Sequence, residues 1–110
     1  MGALLVFVGG GFGALLRYLV SLAVEGPLAT LAINVAGSFL IGLLVAVPAG
    51  NLRLLLAVGL LGGFTTFSAF SLDALRLWQR GDPLLAAAYV VGSVLLSLAA
   101  VAAAAWTVRA

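Results

Sequence analysis

Histidine, cysteine and lysine are absent from this chain, and its only carboxylates are Glu25, Asp73 and Asp82. Metal sites built on imidazole or thiolate are thereby excluded, and most enzyme chemistry goes with them. Without cysteine the sequence carries no sign of a redox compartment. Charged residues make up only 7% of the 110 positions, against roughly a quarter in soluble domains. The net charge of +2 is small and scattered, which sets nucleic-acid binding aside. The opening Met1-Gly2-Ala3-Leu4 lacks the basic region of a secretory signal, so the first apolar run is expected to stay in the mature protein.

What the chain has instead is apolar length: 65% of its residues are hydrophobic and its mean hydropathy is +1.36. At about 20 apolar residues per bilayer-spanning helix, four spans take roughly 80 positions and leave no room for a soluble domain. Runs bounded by charge, proline or glycine place the spans at about residues 4–22, 28–47, 53–78 and 84–106. The expected fold is therefore an all-α membrane protein, a single four-helix transmembrane domain over residues 1–110, in the bilayer as solvent. Trp78 and Trp106 fall where interfacial anchors are expected.

Four spans put both termini on one side. Arg53 and Arg109 then stand on that side and Arg17, Arg76 and Arg80 on the other, a balance that permits insertion in either orientation. Two copies in opposite orientations can pair about a twofold axis in the membrane plane, and a single bundle filled by side chains leaves little room for a pathway of its own. Gly9-x-x-x-Gly13, Gly59-x-x-x-Gly63 and the small residues of the last span let backbones approach closely. They serve helix packing within one copy or between two. Gly9-x-Gly11-x-x-Ala14 matches a loose dinucleotide fingerprint, but it lies inside an apolar helix rather than after a strand.

The most unusual segment is Gly62-Gly63-Phe64-Thr65-Thr66-Phe67-Ser68-Ala69-Phe70-Ser71, near the middle of the third span. Two glycines and four hydroxyl residues there predict a helix broken near the midplane, because non-helical backbone at membrane depth is tolerated only inside protein or beside a wet cavity. Such breaks offer carbonyls to cations and amides to anions. Hard cations accept carbonyl oxygen readily, so no embedded acid is required. Phe64, Phe67 and Phe70 recur every three residues and share a face where the segment is helical. Their ring edges are positive and suit an anion, although desolvating that anion costs several kcal/mol or more. Hydrogen-bond donors must supply the rest. Asn34 is the one amide of the second span, and Tyr89, Ser93 and Ser97 form a stripe at every fourth residue of the last. Arg17, near the end of the first span, either snorkels to the interface or draws anions into a vestibule.

Taken together these residues resemble the Fluc (CrcB) family of fluoride channels. Gly10-Gly11-x-Gly13-Ala14-x-x-Arg17-Tyr18 is similar to its first-helix motif and Thr30-Leu31-x-x-Asn34-x-x-Gly37-Ser38 to its second. Gly62 to Phe70 resembles its third, and Tyr89 with Ser93 and Ser97 its fourth. The resemblance implies an antiparallel, dual-topology homodimer in the inner (plasma) membrane, multi-pass, with two fluoride pathways and a structural sodium ion at the dyad. It further implies that Phe67, Phe70, Asn34, Ser68, Tyr89, Ser93 and Ser97 line the fluoride path, that the carbonyls of Gly62 and Thr65 hold sodium, and that Arg17 and Asp73 stand at the vestibule.

Two positions depart from the family pattern. Ala69 replaces a common hydroxyl residue, removing one donor, and Asp73 stands where glutamate is common. Passive fluoride export would need no energy source within the chain, since hydrogen fluoride enters neutral and dissociates inside. A negative interior then drives the anion outward with about 2.3 kcal/mol per 100 mV. A proton-coupled small multidrug transporter, also a four-span dual-topology dimer, requires an acid within a span, and the first span has none. A non-transporting assembly subunit leaves the third-span motif and the polar stripe without a use.

Overall fold

A computed structural model describes residues 1–109. Helix α1 (Gly2–Ala23) is followed by α2 (Pro27–Leu43), which ends in a 3-10 turn, Leu44–Ala46. The third span begins with the short α3 (Asn51–Arg53), widens into a π-helical stretch at Leu54–Leu61 and closes its first half with α4 (Gly62–Phe64). Its second half is α5 (Ser68–Gln79), and the chain finishes in α6 (Pro83–Arg109). Among the described residues there is no strand, and the four helical segments are long and apolar enough to cross a membrane.

Local chemistry sets the boundaries. Proline opens both α2 and α6, where its missing N–H is no loss and its fixed φ is already helical. The turn before α2 passes through Gly26 at φ 70° and the turn before α6 through Gly81 at φ 88°, a left-handed region that glycine enters without a Cβ clash.

The two glycine pairs of the first and third spans meet each other within one chain. A methyl group at Gly9 would sit 2.6 Å from the Leu55 carbonyl oxygen and 2.9 Å from the Leu60 nitrogen; at Gly13 it would strike the Leu60 carbonyl and at Gly63 the backbone of Gly10. Backbone therefore touches backbone along α1 and the first half of the third span. Close packing replaces the hydrophobic drive that lipid does not supply between helices. Overpacking such a contact costs about 1–3 kcal/mol, so Gly13→Ala is expected to shrink the monodisperse fraction after heating in detergent. Gly11→Ala, whose methyl would meet nothing within 4 Å, is expected to match the parent.

On the opposite side α2 lies along α6, with Gly42 against Val101 and Ala104. The buried cluster Phe70, Leu77, Ala86 and Tyr89 joins α5 to α6. Long apolar side chains elsewhere point outward, including Phe7, Phe12, Leu95 and Trp106.

Candidate functional site

Between Phe64 and Ser68 the backbone leaves helical geometry. Thr65 caps the first half with an extended conformation, φ −79° and ψ 156°, and Ser68 opens α5. Two intervening groups would otherwise lose their partners, and one side chain from another helix takes both. Asn34 of α2 donates from Nδ2 to the Thr66 carbonyl at 2.9 Å and accepts from the Thr66 N–H at Oδ1, 2.8 Å. Its amide thus does for Thr66 what a neighbouring strand or helical turn would do, within a segment apolar enough to cross a membrane, where an unmet backbone group is costly. Because each end of the amide meets a group of fixed polarity, the orientation of oxygen and nitrogen is settled and the second N–H of Nδ2 is left over.

Arg17 of α1 reaches the same segment, donating from Nε to the Gly63 carbonyl at 3.3 Å. A cation there complements the negative carbonyl end of the first half-helix. The Leu61 carbonyl accepts from both the N–H and the hydroxyl of Thr65, at 3.1 and 3.0 Å. With Leu61, Gly63 and Thr66 so engaged, the carbonyls of Gly62 and Thr65 have no donor among the described residues. Carbonyl oxygens in that state are suitable ligands for a hard cation.

On the other side of the interruption Thr66 accepts the Ala69 N–H at its hydroxyl, 3.2 Å, and so caps α5. The amides of Ser68 and Phe70, in the same first turn, have no acceptor among the described residues. The helix therefore presents the positive end of its dipole at this point.

Aromatic rings extend from here. Phe67 and Phe70 lie with centroids 5.4 Å apart at 50°, and Phe70 and Tyr89 at 5.3 Å and 36°. Phe70 and Tyr89 are buried while Phe67 is 76% exposed. Phe64 does not join this row, in spite of its three-residue spacing, because the extended Thr65 lies between and turns it toward Gly37.

Asp73 is more enclosed than a residue at a pore mouth needs to be. Its Oδ2 accepts from the Thr30 hydroxyl at 2.6 Å and from the Tyr89 hydroxyl at 3.2 Å, tying α5 to α2 and α6. The Tyr89 hydroxyl thereby has its hydrogen committed. Ser93, one turn further along α6, is 4% exposed and its Oγ has no partner among the described residues. Buried hydroxyls are rarely left so.

A groove of about 550 Å³ gathers Asn34, Thr65, Phe67, Phe70, Ser93 and Ser97 along one side of the molecule. Ser68 sits exposed beside it, its hydroxyl 3.3 Å from that of Thr66. Arg17, Asp73 and Tyr89 stand outside its lining. Water occupies roughly 30 Å³ per molecule in the liquid, so the groove of one chain has many times the volume of a single small ion. Sequence reasoning missed the backbone clamp of Asn34 and the carbonyl contact of Arg17. The signal for the first was available: Thr30, Asn34 and Gly37 share one face of α2, and all three touch the third span.

Comparison with known proteins places these residues in a family context. Residues 4–105 match the family described as CrcB-like protein, Camphor Resistance (CrcB). A protein named fluoride-specific ion channel FluC from Rhizobium leguminosarum bv. trifolii (strain WSM2304) is 51% identical, covering 98% of this chain and 96% of its own. The protein of that name from Agrobacterium fabrum (strain C58 / ATCC 33970) is 50% identical over 88% of this chain and 87% of its own. One from Chelativorans sp. (strain BNC1) is 48% identical over 96% and 94%.

Proposed function

This chain belongs to the CrcB-like protein family, and on that premise we propose that it is a fluoride-selective channel of the inner (plasma) membrane that lets the anion leave the cell passively. The relatives that carry a fluoride-channel name match it at about half of all positions over nearly the full chain. The observation that carries the reading at the level of the site is the groove, where the ring pair Phe67–Phe70, the oriented amide of Asn34 and the unpartnered hydroxyl of Ser93 converge.

An anion entering this path exchanges water for the amide of Asn34, the hydroxyls of Ser93 and Ser97 and the positive edges of Phe67 and Phe70. Those groups are held by the fold and need no reorganisation at the moment of transfer. A small anion that accepts strong hydrogen bonds recovers more from such donors than a larger one, which gives selectivity its physical basis. Arg17 lowers the cost of bringing negative charge near the third-span interruption. Ser68 adds a hydroxyl at its edge. Asp73 and Tyr89 act together with Thr30 as a brace between helices, set back from the ion.

The volume of the groove, far larger than one small ion, favours a second copy as its cover. An antiparallel homodimer of dual topology would close the groove of each copy against the other and yield two pathways. In that arrangement the carbonyls of Gly62 and Thr65, free of donors, come from both copies and suit one structural sodium ion at the dyad. A sodium ion there would neutralise converging carbonyl dipoles and hold the two interrupted spans together.

Purified protein in liposomes loaded with fluoride, followed with a fluoride electrode, tests the reading. Rapid release of fluoride with negligible release from chloride-loaded vesicles is expected. Absence of release from demonstrably folded protein sinks it.

A further inference from the structure

Hydroxyls, ring edges and one side-chain amide are few donors for an ion as strongly hydrated as fluoride. The turn that opens α5 offers others. Its first N–H groups have no helical partner by construction. Thr66 takes only that of Ala69, leaving those of Ser68 and Phe70 unmet among the described residues. Phe70 itself is buried and lines the groove. On the facing helix, Ser93 contributes an unpartnered Oγ at 4% exposure to the same groove. The residues that carry these donors thus gather at one place: Phe70 and Ser93 line the groove, and Ser68 lies exposed beside it.

Charge around this turn favours an anion. The dipole of the twelve-residue α5 is positive here, and the Arg17 guanidinium lies on the other side of the interruption, at the Gly63 carbonyl. Asp73, the carboxylate on α5, has its Oδ2 turned to Thr30 and Tyr89.

We infer that the amino-terminal turn of α5 is an anion-binding step: the backbone amides of Ser68 and Phe70, with the hydroxyl of Ser93, bind a small anion that accepts strong hydrogen bonds. This rests on the fluoride-channel reading and adds to it two backbone donors that no side-chain substitution removes. Helix amino termini bind anions because aligned N–H groups and the dipole act together. A bare halide has no proton to donate, so donors without acceptors are the complement it requires. The Ala69 position fits the same scheme, since its N–H is already spent on Thr66 and a methyl side chain costs the site no donor.

Replacing an amide by an ester tests the backbone directly. Lactic acid at position 68 differs from Ser68→Ala only in the exchange of N–H for oxygen, and phenyllactic acid at position 70 differs from the parent Phe70 in the same way. Each is introduced by suppression with a charged transfer RNA, and each is read as fluoride release from liposomes. Fluoride release is expected to fall on the order of tenfold or more for each ester against its amide twin, as for loss of a charge-assisted hydrogen bond. Ser93→Ala is expected to fall comparably. The ester analogue of leucine at Leu84, in the first turn of α6 and 83% exposed, is expected to leave release unchanged. Either ester folded, by size-exclusion profile, and within twofold of its twin overturns the inference while the parent still conducts. Failure of the parent to release fluoride overturns the channel reading itself. The two positions are independent, so a folding defect at one leaves the other to decide.

Discussion

Replacing Phe67 and Phe70 together by isoleucine is expected to abolish fluoride release while the protein keeps its elution profile. Isoleucine preserves apolar bulk and removes the ring edges, the feature assigned to the proposed path. Loss of the Phe70–Tyr89 contact, at 5.3 Å, costs about 0.5–1.5 kcal/mol beyond area burial, too little to unfold a bundle whose helices are also held by the bilayer. An anion that no longer meets a positive edge faces a desolvation cost of several kcal/mol, and each 1.4 kcal/mol added to its barrier slows passage about tenfold. Liposome release and size exclusion on the same preparation check both halves. Undiminished release would remove the aromatic edges from the mechanism.

Asn34→Asp is expected to block conduction as completely. Aspartate keeps an acceptor for the Thr66 N–H, but it has no hydrogen for the Thr66 carbonyl, and its second oxygen faces that carbonyl with like polarity. A negative charge also enters the proposed path of an anion, where an uncompensated charge is worth about 2.5–3.5 kcal/mol on insertion scales. The substitution therefore acts twice, by unpinning the third-span segment and by repelling the ion. Release at the parental rate from folded Asn34→Asp protein would place the path elsewhere.

The helices were legible because hydropathy along a chain reports directly on what a bilayer accepts. The residues of the candidate site were legible as types, since a polar side chain in an apolar span needs a reason. Their partners were not. Asn34 reads in the sequence as a donor for an ion, and in the structure both ends of its amide are engaged by Thr66. Asp73 reads as a vestibule acid, and it is bound by Thr30 and Tyr89. Phe64 shares the spacing of Phe67 and Phe70, yet one extended residue separates it from them. The first two differences arise because hydrogen bonds between residues 16, 32 or 43 positions apart leave no local pattern, and the third because one extended residue interrupts the helical spacing.

By itself the sequence determined that this is a membrane chain of four apolar helices, the glycine pairs at which backbones can touch, and a stock of hydroxyl, amide and aromatic groups in otherwise apolar spans. Transfer free energy fixes the first through composition and length, without regard to partners. Only the tertiary structure decided that the glycine pairs meet within one chain, and which backbone groups around the interrupted third span are spent and which remain. Those remaining among the described residues, which include the carbonyls of Gly62 and Thr65 and the amides of Ser68 and Phe70, are set by what Arg17, Asn34 and Thr66 take first. The physical reason is that every residue offers the same peptide group; which of them stay open to an ion depends on the neighbours that three-dimensional packing brings to them.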